Sequence, residues 1–229
     1  VLKKMTNSTN INWENFYVKY KLKNLIFPSE TLIRCFKGNY IKGLKFSKND
    51  KLLDIGFGSG NNLAFFNTLG FKLYGVELTE KICKKTQKEF EKINIKAILK
   101  AGNNKHLPFK SNFFNFLISW DVIHYEKDIT SYKKSLNEYI RVLKPNGRLI
   151  ISTVAPKSSF CINSKRLNSH TIICDNKNDI RYNEQFICFK NFSNLKKFYI
   201  NNFNKVDFGR HTSEIFDKSY DSYLINILK

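Results

Sequence analysis

The feature that most constrains this chain is a glycine-rich bend after a short apolar run. Residues 52–60 read LLDIGFGSG, with the acid Asp54 followed by Gly56, Gly58 and Gly60. Glycines let the backbone adopt positive φ and let a ligand approach without a Cβ in the way. The residues that follow predict a helix, whose N-terminal N–H groups and dipole would face that ligand. The pattern therefore predicts a strand–turn–helix unit that binds a nucleotide-type ligand.

The spacing of the glycines argues against a dinucleotide site. The dinucleotide fingerprint is G-x-G-x-x-G, whereas this chain has G-x-G-x-G followed by Asn61. Asp54 is placed to reach the amine of an amino-acid-bearing ligand through the loop. Glu77 ends the next predicted strand, residues 72–76, where a carboxylate can accept both hydroxyls of a ribose. Thr79 is predicted to cap the helix after it.

Further apolar segments predict strands that alternate with helices. Strands are predicted at residues 97–99, 113–118, 149–154, 185–190, 205–208 and 220–228, and helices at 80–93, 131–143 and 194–199. The segment 144–147 (KPNG) predicts a helix stop and a turn. Such alternation is typical of an α/β protein with a mostly parallel sheet.

Five segments in this order resemble the motifs of class I S-adenosylmethionine (SAM) methyltransferases of the methyltransferase-11, or UbiE-like, type. They are the glycine turn, the strand that ends at Glu77, GNNKHLPF at 102–109, SWDVIHY at 119–125 and LKPNGRLIIS at 143–152. The chain departs from the family at Asn103 and Asn115, where an acid is usual. The resemblance covers residues 51–154 and implies an α/β, Rossmann-like fold: a doubly wound, seven-stranded, mostly parallel sheet with an N-terminal helical cap and a lid insertion.

The chain is expected to form a single methyltransferase domain over residues 1–229. Its predicted parts are an N-terminal helical cap (1–47), a SAM-binding core (48–154), a substrate lid (155–183) and C-terminal strands and helix (184–229). The lid segment is long, polar and without clear periodicity, so it is expected to be irregular. Long irregular insertions in compact domains are usually functional lids or disordered links.

The resemblance also implies a set of residues that bind SAM. They are Asp54, Gly56, Gly58, Gly60, Glu77, Leu78, Asn103, Asn104, Ser119 and Trp120. At the position of Asn103 the family uses an acid to hold the adenine amino group, and an amide oxygen can still accept that hydrogen bond.

Two residues are candidates for the catalytic base. The methyl group of SAM is already activated, so the enzyme mainly aligns a nucleophile with it and excludes water. His124 is the first candidate because it follows the fourth strand and an unperturbed imidazole titrates at about 6.5. Asp121 is the second candidate.

The parts outside the core are expected to hold the substrate. An aromatic stretch near the N-terminus contains Trp13, Tyr17 and Tyr20, which either close the pocket or simply dock a helix. Arg181 in the predicted lid is expected to face an anionic group. His211 is expected to enter the site from the last pair of strands.

Composition limits the other possibilities. The formal net charge is +20, but the lysines are spread along the whole chain. The preferred explanation of this charge is that the lysines lie on solvent-exposed faces. An anionic substrate is the second explanation and nucleic acid is the last. The five cysteines are scattered and lack C-x-x-C spacing, so reduced thiols in the cytoplasm are expected and no metal site is predicted. The sequence contains no apolar run of about 18 residues, so no membrane span is predicted.

Three hypotheses for function remain. The first is a methyltransferase (EC 2.1.1.-) for a small molecule, a sugar or phosphorylated precursor in surface polysaccharide biosynthesis, suggested by a loose resemblance at residues 27–30. The second is an RNA or protein methyltransferase, although the N/D-P-P-Y/F tetrad of many such enzymes is absent after the fourth strand. The third is a catalytically silent SAM-fold subunit. The sequence leaves open the acceptor, its accepting atom and the oligomeric state.

Overall fold

The computed structural model of the protein describes residues 13–17, 27–162, 164–177, 179 and 181–229. Its strands are β1 (Lys51–Ile55), β2 (Lys72–Glu77), β3 (Ala97–Ala101), β4 (Phe114–Trp120), β5 (Leu143–Val154), β6 (Ser164–Arg166), β7 (Thr171–Cys174), β8 (Gln185–Ile187), β9 (Val206–Ile215) and β10 (Lys218–Leu228). Seven of them form one sheet in the order β3-β2-β1-β4-β5-β10-β9. The predicted fold class is confirmed.

Helices connect these strands and cover the sheet. They are α1 (residues 13–17), α2 (Glu30–Lys37), α3 (Asn61–Thr68), α4 (Glu80–Lys92), α5 (Ile129–Val142), α6 (Ser159–Ile162) and α7 (Phe192–Ile200), with a 3₁₀ turn at Ile123–Tyr125. The side chains of Ser29, Thr79, Asp128 and Asn191 accept backbone N–H groups at the starts of α2, α4, α5 and α7. Such N-caps satisfy donors that the first turn of a helix leaves unpaired.

The order of the strands defines where a ligand can bind. β1 pairs in parallel with both β2 and β4, so the chain winds outward on one side of β1 and then resumes on the other. Open α/β sheets bind ligands at the carboxyl ends of the strands, where the winding direction changes. The glycine turn follows β1 and Asp121 follows β4, so both lie at this point.

The core lies on both faces of the central sheet. Leu52 and Leu53 are adjacent in β1 and both fully buried, yet they belong to different hydrophobic clusters. Successive side chains of a strand point to opposite faces, so each cluster covers one face. One cluster is rich in phenylalanine, with Phe36 and Phe66 in edge-to-face contact at 4.7 Å between ring centroids.

The segment 155–183 differs from its prediction. It was expected to be irregular, but it contains helix α6 and strands β6 and β7, which continue with β8 into a three-stranded antiparallel sheet. This small sheet has a hydrophobic cluster of its own that includes Ile172, Phe186 and Cys188. Its strands are only three or four residues long, which is too short for a sequence periodicity to show.

The last two strands form an antiparallel hairpin, and each is longer than the strand predicted from the sequence. β10 pairs with β9 on one side and with β5 on the other, both antiparallel. An ion pair inside the hairpin joins Arg210 and the buried Asp221, with N–O distances of 2.8 and 2.9 Å. The predicted turn at 144–147 lies inside β5, where the pairing with β4 shifts register.

No helix among the described residues is both long and apolar enough to cross a membrane.

Substituting Phe66 tests the importance of the aromatic cluster. Phe66 is fully buried, so Phe66→Ala should lower the free energy of unfolding by about 3–5 kcal/mol through lost burial and a cavity. Phe216 lies at the tip of the β9–β10 hairpin and is 95% exposed, so Phe216→Ala should change it by less than about 0.5 kcal/mol. Urea denaturation followed by circular dichroism measures both, and equal losses would contradict the assigned core.

Candidate cofactor and acceptor site

The turn after β1 has the geometry that its glycines predict. Gly56, Gly58 and Gly60 have φ of +67°, +54° and +80°, in the region that disfavours side chains. A Cβ on Gly56 would lie 2.5 Å from Val122, and one on Gly60 would lie 2.4 Å from Phe90. Other residues at these positions would strain the backbone and collide with neighbours, so glycine is required here.

Glu77 fixes the shape of this turn. Its Oε1 accepts the backbone N–H of Gly58 at 3.0 Å, and its Oε2 accepts that of Leu78 at 2.7 Å. The hydroxyl of Thr86, on α4, donates to the carbonyl oxygen of Gly58 at 2.9 Å. Burial raises the pKa of Glu77, and the two backbone hydrogen bonds oppose that rise. The carboxylate therefore lies at the end of β2 with lone pairs left for a ligand.

Asp54 is a buried acid whose bonding is incomplete. It is 1% exposed, and its Oδ2 has no hydrogen-bond partner among the described residues. Burial first, and the charge of Glu77 second, raise the pKa of Asp54 well above its usual range. A buried carboxylate without a partner is costly, so this atom matches a cationic group supplied by a ligand.

These features fit SAM. The amino group of its methionine part would satisfy Asp54, and its ribose hydroxyls would bind Glu77. The positive φ angles of the three glycines shape the turn, and α3 begins directly after Gly60, so its N-terminus faces the turn. Leu78 is 38% exposed beside Glu77 and offers an apolar surface for a flat base.

Helix α1 lies against the glycine turn. A Cβ on Gly58 would come within 2.7 Å of the ring of Tyr17, and Lys85 on α4 donates a hydrogen bond to the Tyr17 carbonyl. Trp13 stacks on Tyr17 and meets Tyr125 edge-on, with centroid distances of 6.0 and 5.2 Å. Burial and the nearby Glu77 raise the pKa of the Tyr17 phenol. Two of the three predicted aromatic residues thus reach the site, and Tyr20 lies outside the described residues.

The predicted contacts at Asn103 and Asn104 are partly taken by the protein itself. The side-chain oxygen of Asn103 accepts the backbone N–H of Lys105 at 3.0 Å, and this asparagine is otherwise exposed. The Asn104 amide donates to Glu126 at 3.0 Å, and Lys105 forms an ion pair with the same carboxylate. Because Glu126 is buried, these bonds hold the loop after β3 against the domain.

The last two residues of β4 are Ser119 and Trp120, and both side chains are buried. The Ser119 hydroxyl lies 3.5 Å from that of Tyr139, and Trp120 packs in the phenylalanine-rich cluster. Their side chains therefore pack inside the protein.

Asp121 lies at the centre of a polar cluster at the end of β4. Its φ is +56°, its Oδ1 accepts the hydroxyl of Ser152 at 2.5 Å, and its Oδ2 accepts that of Tyr220 at 3.0 Å. Burial raises the pKa of Asp121, while the bonds from Ser152 and Tyr220 lower it. His211 packs on the ring of Tyr220, with 5.4 Å between centroids, and its Nδ1 lies 3.1 Å from the Thr31 hydroxyl. The cluster therefore brings together the carboxylate of Asp121, the phenol of Tyr220 and the imidazole of His211.

His124 differs from the titrating base that the sequence suggested. It is 4% exposed, and its Nδ1 has no hydrogen-bond partner among the described residues. Burial, together with the charge of Arg181, lowers its pKa to about 3. This pKa lies below the value of about 6.5 for an unperturbed imidazole, because His124 lies among rings such as Tyr125 rather than in water.

Arg181 lies near this histidine but is already paired. It forms two bonds to Asp179, at 2.6 and 2.5 Å, and its guanidinium covers the ring of Phe160 at 4.1 Å. Its positive charge is therefore balanced within the insertion.

Sequence analysis missed Tyr220, Ser152 and Thr31 as parts of the site. Tyr220 is 99 positions from Asp121, and no local pattern marks such a contact. Thr86, which donates to the carbonyl oxygen of Gly58, was also not among the predicted site residues. No group of three or more potential metal ligands occurs among the described residues.

Comparisons with known proteins agree with this geometry. A family model described as a methyltransferase domain matches residues 53–151. The uncharacterized methyltransferase YodH of Bacillus subtilis is 33% identical over 126 residues, which cover 49% of this chain and 51% of YodH. The ubiquinone/menaquinone biosynthesis C-methyltransferase UbiE of Wigglesworthia glossinidia brevipalpis is 30% identical over 146 residues, which cover 61% of this chain and 56% of UbiE.

Solved structures extend the likeness to most of the chain. The crystal structure of a SAM-dependent methyltransferase from Methanosarcina mazei superposes with a TM-score of 0.69 and 16% identity, covering 89% of this chain and 98% of that one. At this identity the likeness concerns the fold. The chain spans about half the length of the curated relatives that it matches.

Replacing Asp54 should separate stability from ligand binding. A carboxylate whose pKa is raised by folding favours the folded state below its unfolded pKa of about 4 and loses that advantage as the pH rises. Asp54→Asn removes this loss, so we expect the ligand-free protein to gain about 1–3 kcal/mol at pH 8 and less at pH 5. Urea denaturation at both pH values measures the gain. A variant less stable than the parent at pH 8 would contradict the buried, unpaired state of Asp54.

Proposed function

Since the chain carries a methyltransferase domain of the class I SAM-dependent family over residues 53–151, we propose that it binds SAM and methylates a small molecule. The observation that carries this proposal is the unpaired, buried Oδ2 of Asp54 beside a glycine turn that Glu77 holds open. Bound there, SAM supplies an activated methyl group. The remaining tasks of the protein are to bind, to orient and to exclude water.

The cofactor half is built by the turns after β1 and β2. Asp54 and Glu77 bind the two ends of the cofactor, and Leu78 covers its base. The backbone at Ser119 and Trp120 and the loop at Asn103 and Asn104 complete the binding site in this proposal. The side-chain oxygen of Asn103 already accepts a hydrogen bond. Asn103 is therefore a weaker ligand for the adenine amino group than the acid that the family has at this position.

The acceptor half is built around Asp121. Its carboxylate is the base we favour, because Tyr220 and Ser152 hold it in place and burial raises its pKa toward neutrality. Asp121 would take the proton from an accepting hydroxyl or amine, and His211 would orient the acceptor. His124 ranks below it, since an imidazole with a pKa of about 3 is a weak base. We assign His124 to shaping the pocket wall.

Segments outside the core complete the pocket. Trp13 and Tyr17 on α1 would close the site over the cofactor, so the N-terminal segment 1–47 acts as a cap. The insertion 155–183, with its small sheet, would act as the substrate lid. Arg181 favours an anionic acceptor less than expected, because Asp179 neutralises it.

Two observations support a proposal for the class of acceptor. UbiE is named for ubiquinone/menaquinone biosynthesis, and the aromatic rings of Trp13, Tyr17 and Tyr125, of which Trp13 contacts the other two, suit a flat, apolar acceptor. We therefore place hydroxylated aromatic rings first. A sugar or phosphorylated precursor of surface glycan, the acceptor that the sequence first suggested, has no support from the relatives named above and comes second.

The same experiments would reveal either of two alternative functions. An RNA or protein methyltransferase would bind a polymer with strong salt dependence, and a silent subunit would bind SAM without turnover. The intact glycine turn and the Asp121 cluster argue for turnover. A cytoplasmic location is part of the proposal and rests on five free cysteines among the described residues.

Cofactor binding is tested by a matched pair of substitutions. Glu77→Gln removes the charge but keeps the size, so SAM should bind roughly tenfold to a hundredfold more weakly, as expected for a lost charge-assisted hydrogen bond. Glu80, three residues later and exposed in the first turn of α4, provides the control, and Glu80→Gln should leave the affinity unchanged. Isothermal calorimetry measures both. Absence of SAM binding by the unaltered chain would refute the cofactor assignment.

The pH dependence of turnover tests the base. Asp121 acts when deprotonated, so its raised pKa should make the rate fall on the acid side at a pH above about 4. Tyr220→Phe removes a bond that lowers this pKa, so the acid limb should move to higher pH. Asp121→Asn should lower the rate about a hundredfold or more.

These rates are measured with radiolabelled SAM and a panel of hydroxylated aromatic and sugar-phosphate acceptors. His124→Gln should leave the position of the acid limb unchanged, because the pKa of His124 already lies at about 3. An acid limb that disappears in His124→Gln and persists in Asp121→Asn would reverse the two roles.

A further inference from the structure

Two cysteines that are 27 positions apart meet in the hydrophobic cluster of the small sheet, Cys161 in the insertion and Cys188 shortly after it. The Sγ of Cys161, on α6, donates a hydrogen bond to the Sγ of Cys188 at 3.5 Å. Both thiols are free, Cys161 is 9% exposed and Cys188 is fully buried. The proposed methyl transfer uses neither of them.

The surroundings of Cys188 favour its thiolate. A nitrogen of Arg166 on β6 lies 3.7 Å from its sulfur, and another donates to its carbonyl oxygen at 2.9 Å. The hydrogen bond from Cys161 and then Arg166 lower the pKa of Cys188, while burial and Asp221 oppose them. The thiolate is the reactive form of cysteine, so the pair has one activated sulfur and one thiol within reach.

We propose that Cys161 and Cys188 form a redox pair that closes to a disulfide when a small hydroperoxide oxidises it. In the first step the Cys188 thiolate attacks one peroxide oxygen, the O–O bond breaks, and one proton is taken up to release water and leave a sulfenic acid. In the second step the Cys161 sulfur attacks that sulfenic sulfur. The S–S bond forms, and the leaving hydroxide takes the Cys161 proton to give a second water.

Closure of the pair would tie the start of the insertion to the residue that follows β8. Cys161 follows β5 through α6, and Cys188 comes directly after β8. Both lie in the hydrophobic cluster of the small sheet, against which Tyr125 and Phe160 pack. Since these two rings also contact His124, the disulfide would form in the wall behind the proposed acceptor pocket. The proposal stands on the thiol geometry and does not require the methyl transfer.

Peptide mapping of the whole protein tests the pair. The reduced chain, treated with millimolar hydrogen peroxide and then alkylated in denaturant, should lose about 2 Da and keep three of its five thiols. The non-reduced digest should contain a peptide that links Cys161 to Cys188, and dithiothreitol should reverse the linkage. A gain of oxygen atoms without a link, or a link through other cysteines, would overturn the proposal.

Variants separate the pair from general thiol oxidation. Cys161→Ala and Cys188→Ala should each abolish the 2 Da loss. Cys174→Ala is the matched control, because Cys174 is buried in the same cluster, and it should oxidise like the parent. Arg166→Gln should slow formation of the disulfide several-fold at pH 7. An unchanged rate would contradict the role of Arg166 in stabilising the Cys188 thiolate. The parent digest decides the central question even if a variant fails to fold.

Discussion

The hydrogen bond from the Gly58 amide to the Glu77 carboxylate is the contact on which the site depends. It joins the turn after β1 to the end of β2 across a parallel pair of strands, and Thr86 holds the same glycine from the other side. Left-handed glycines alone would leave the turn free to adopt many shapes. The bonds at Gly58 select one of them, and the proposed cofactor site rests on that shape.

The same region carries an electrostatic cost. Asp54 and Glu77 are both buried, and neither belongs to an ion pair among the described residues. The charge of Glu77 adds to the cost of ionising Asp54, since it raises the pKa of Asp54 beyond the effect of burial. Buried unpaired charges destabilise a fold, and the phenylalanine-rich cluster and the cross-sheet packing outweigh that cost. A ligand that brings a cation and hydroxyl donors removes the cost, so part of the energy needed to fold this site is returned on binding.

Local patterns were enough to predict the turn after β1 and the helix that follows β2. The glycine turn and the cap at Thr79 depend on neighbours within a few residues, and the structure agrees with both. The acceptor half depends on distant contacts. The bond between Tyr220 and Asp121 crosses 99 positions and that between His211 and Thr31 crosses 180. The pKa of His124 is lowered by burial, and the rings around it include Phe160 from the insertion. None of these leaves a mark in the sequence around it.

The position of β10 in the sheet has a consequence for synthesis on the ribosome. Among the described strands β10 is made last, yet it lies inside the sheet, between β5 and β9. Until it emerges, β5 presents an unpaired edge that contains Leu149, Ile150 and Ile151, residues buried in the finished protein. Open apolar edges invite pairing with other chains. A nascent chain therefore passes through a stage in which its cofactor half can already be folded while its sheet still needs protection from aggregation.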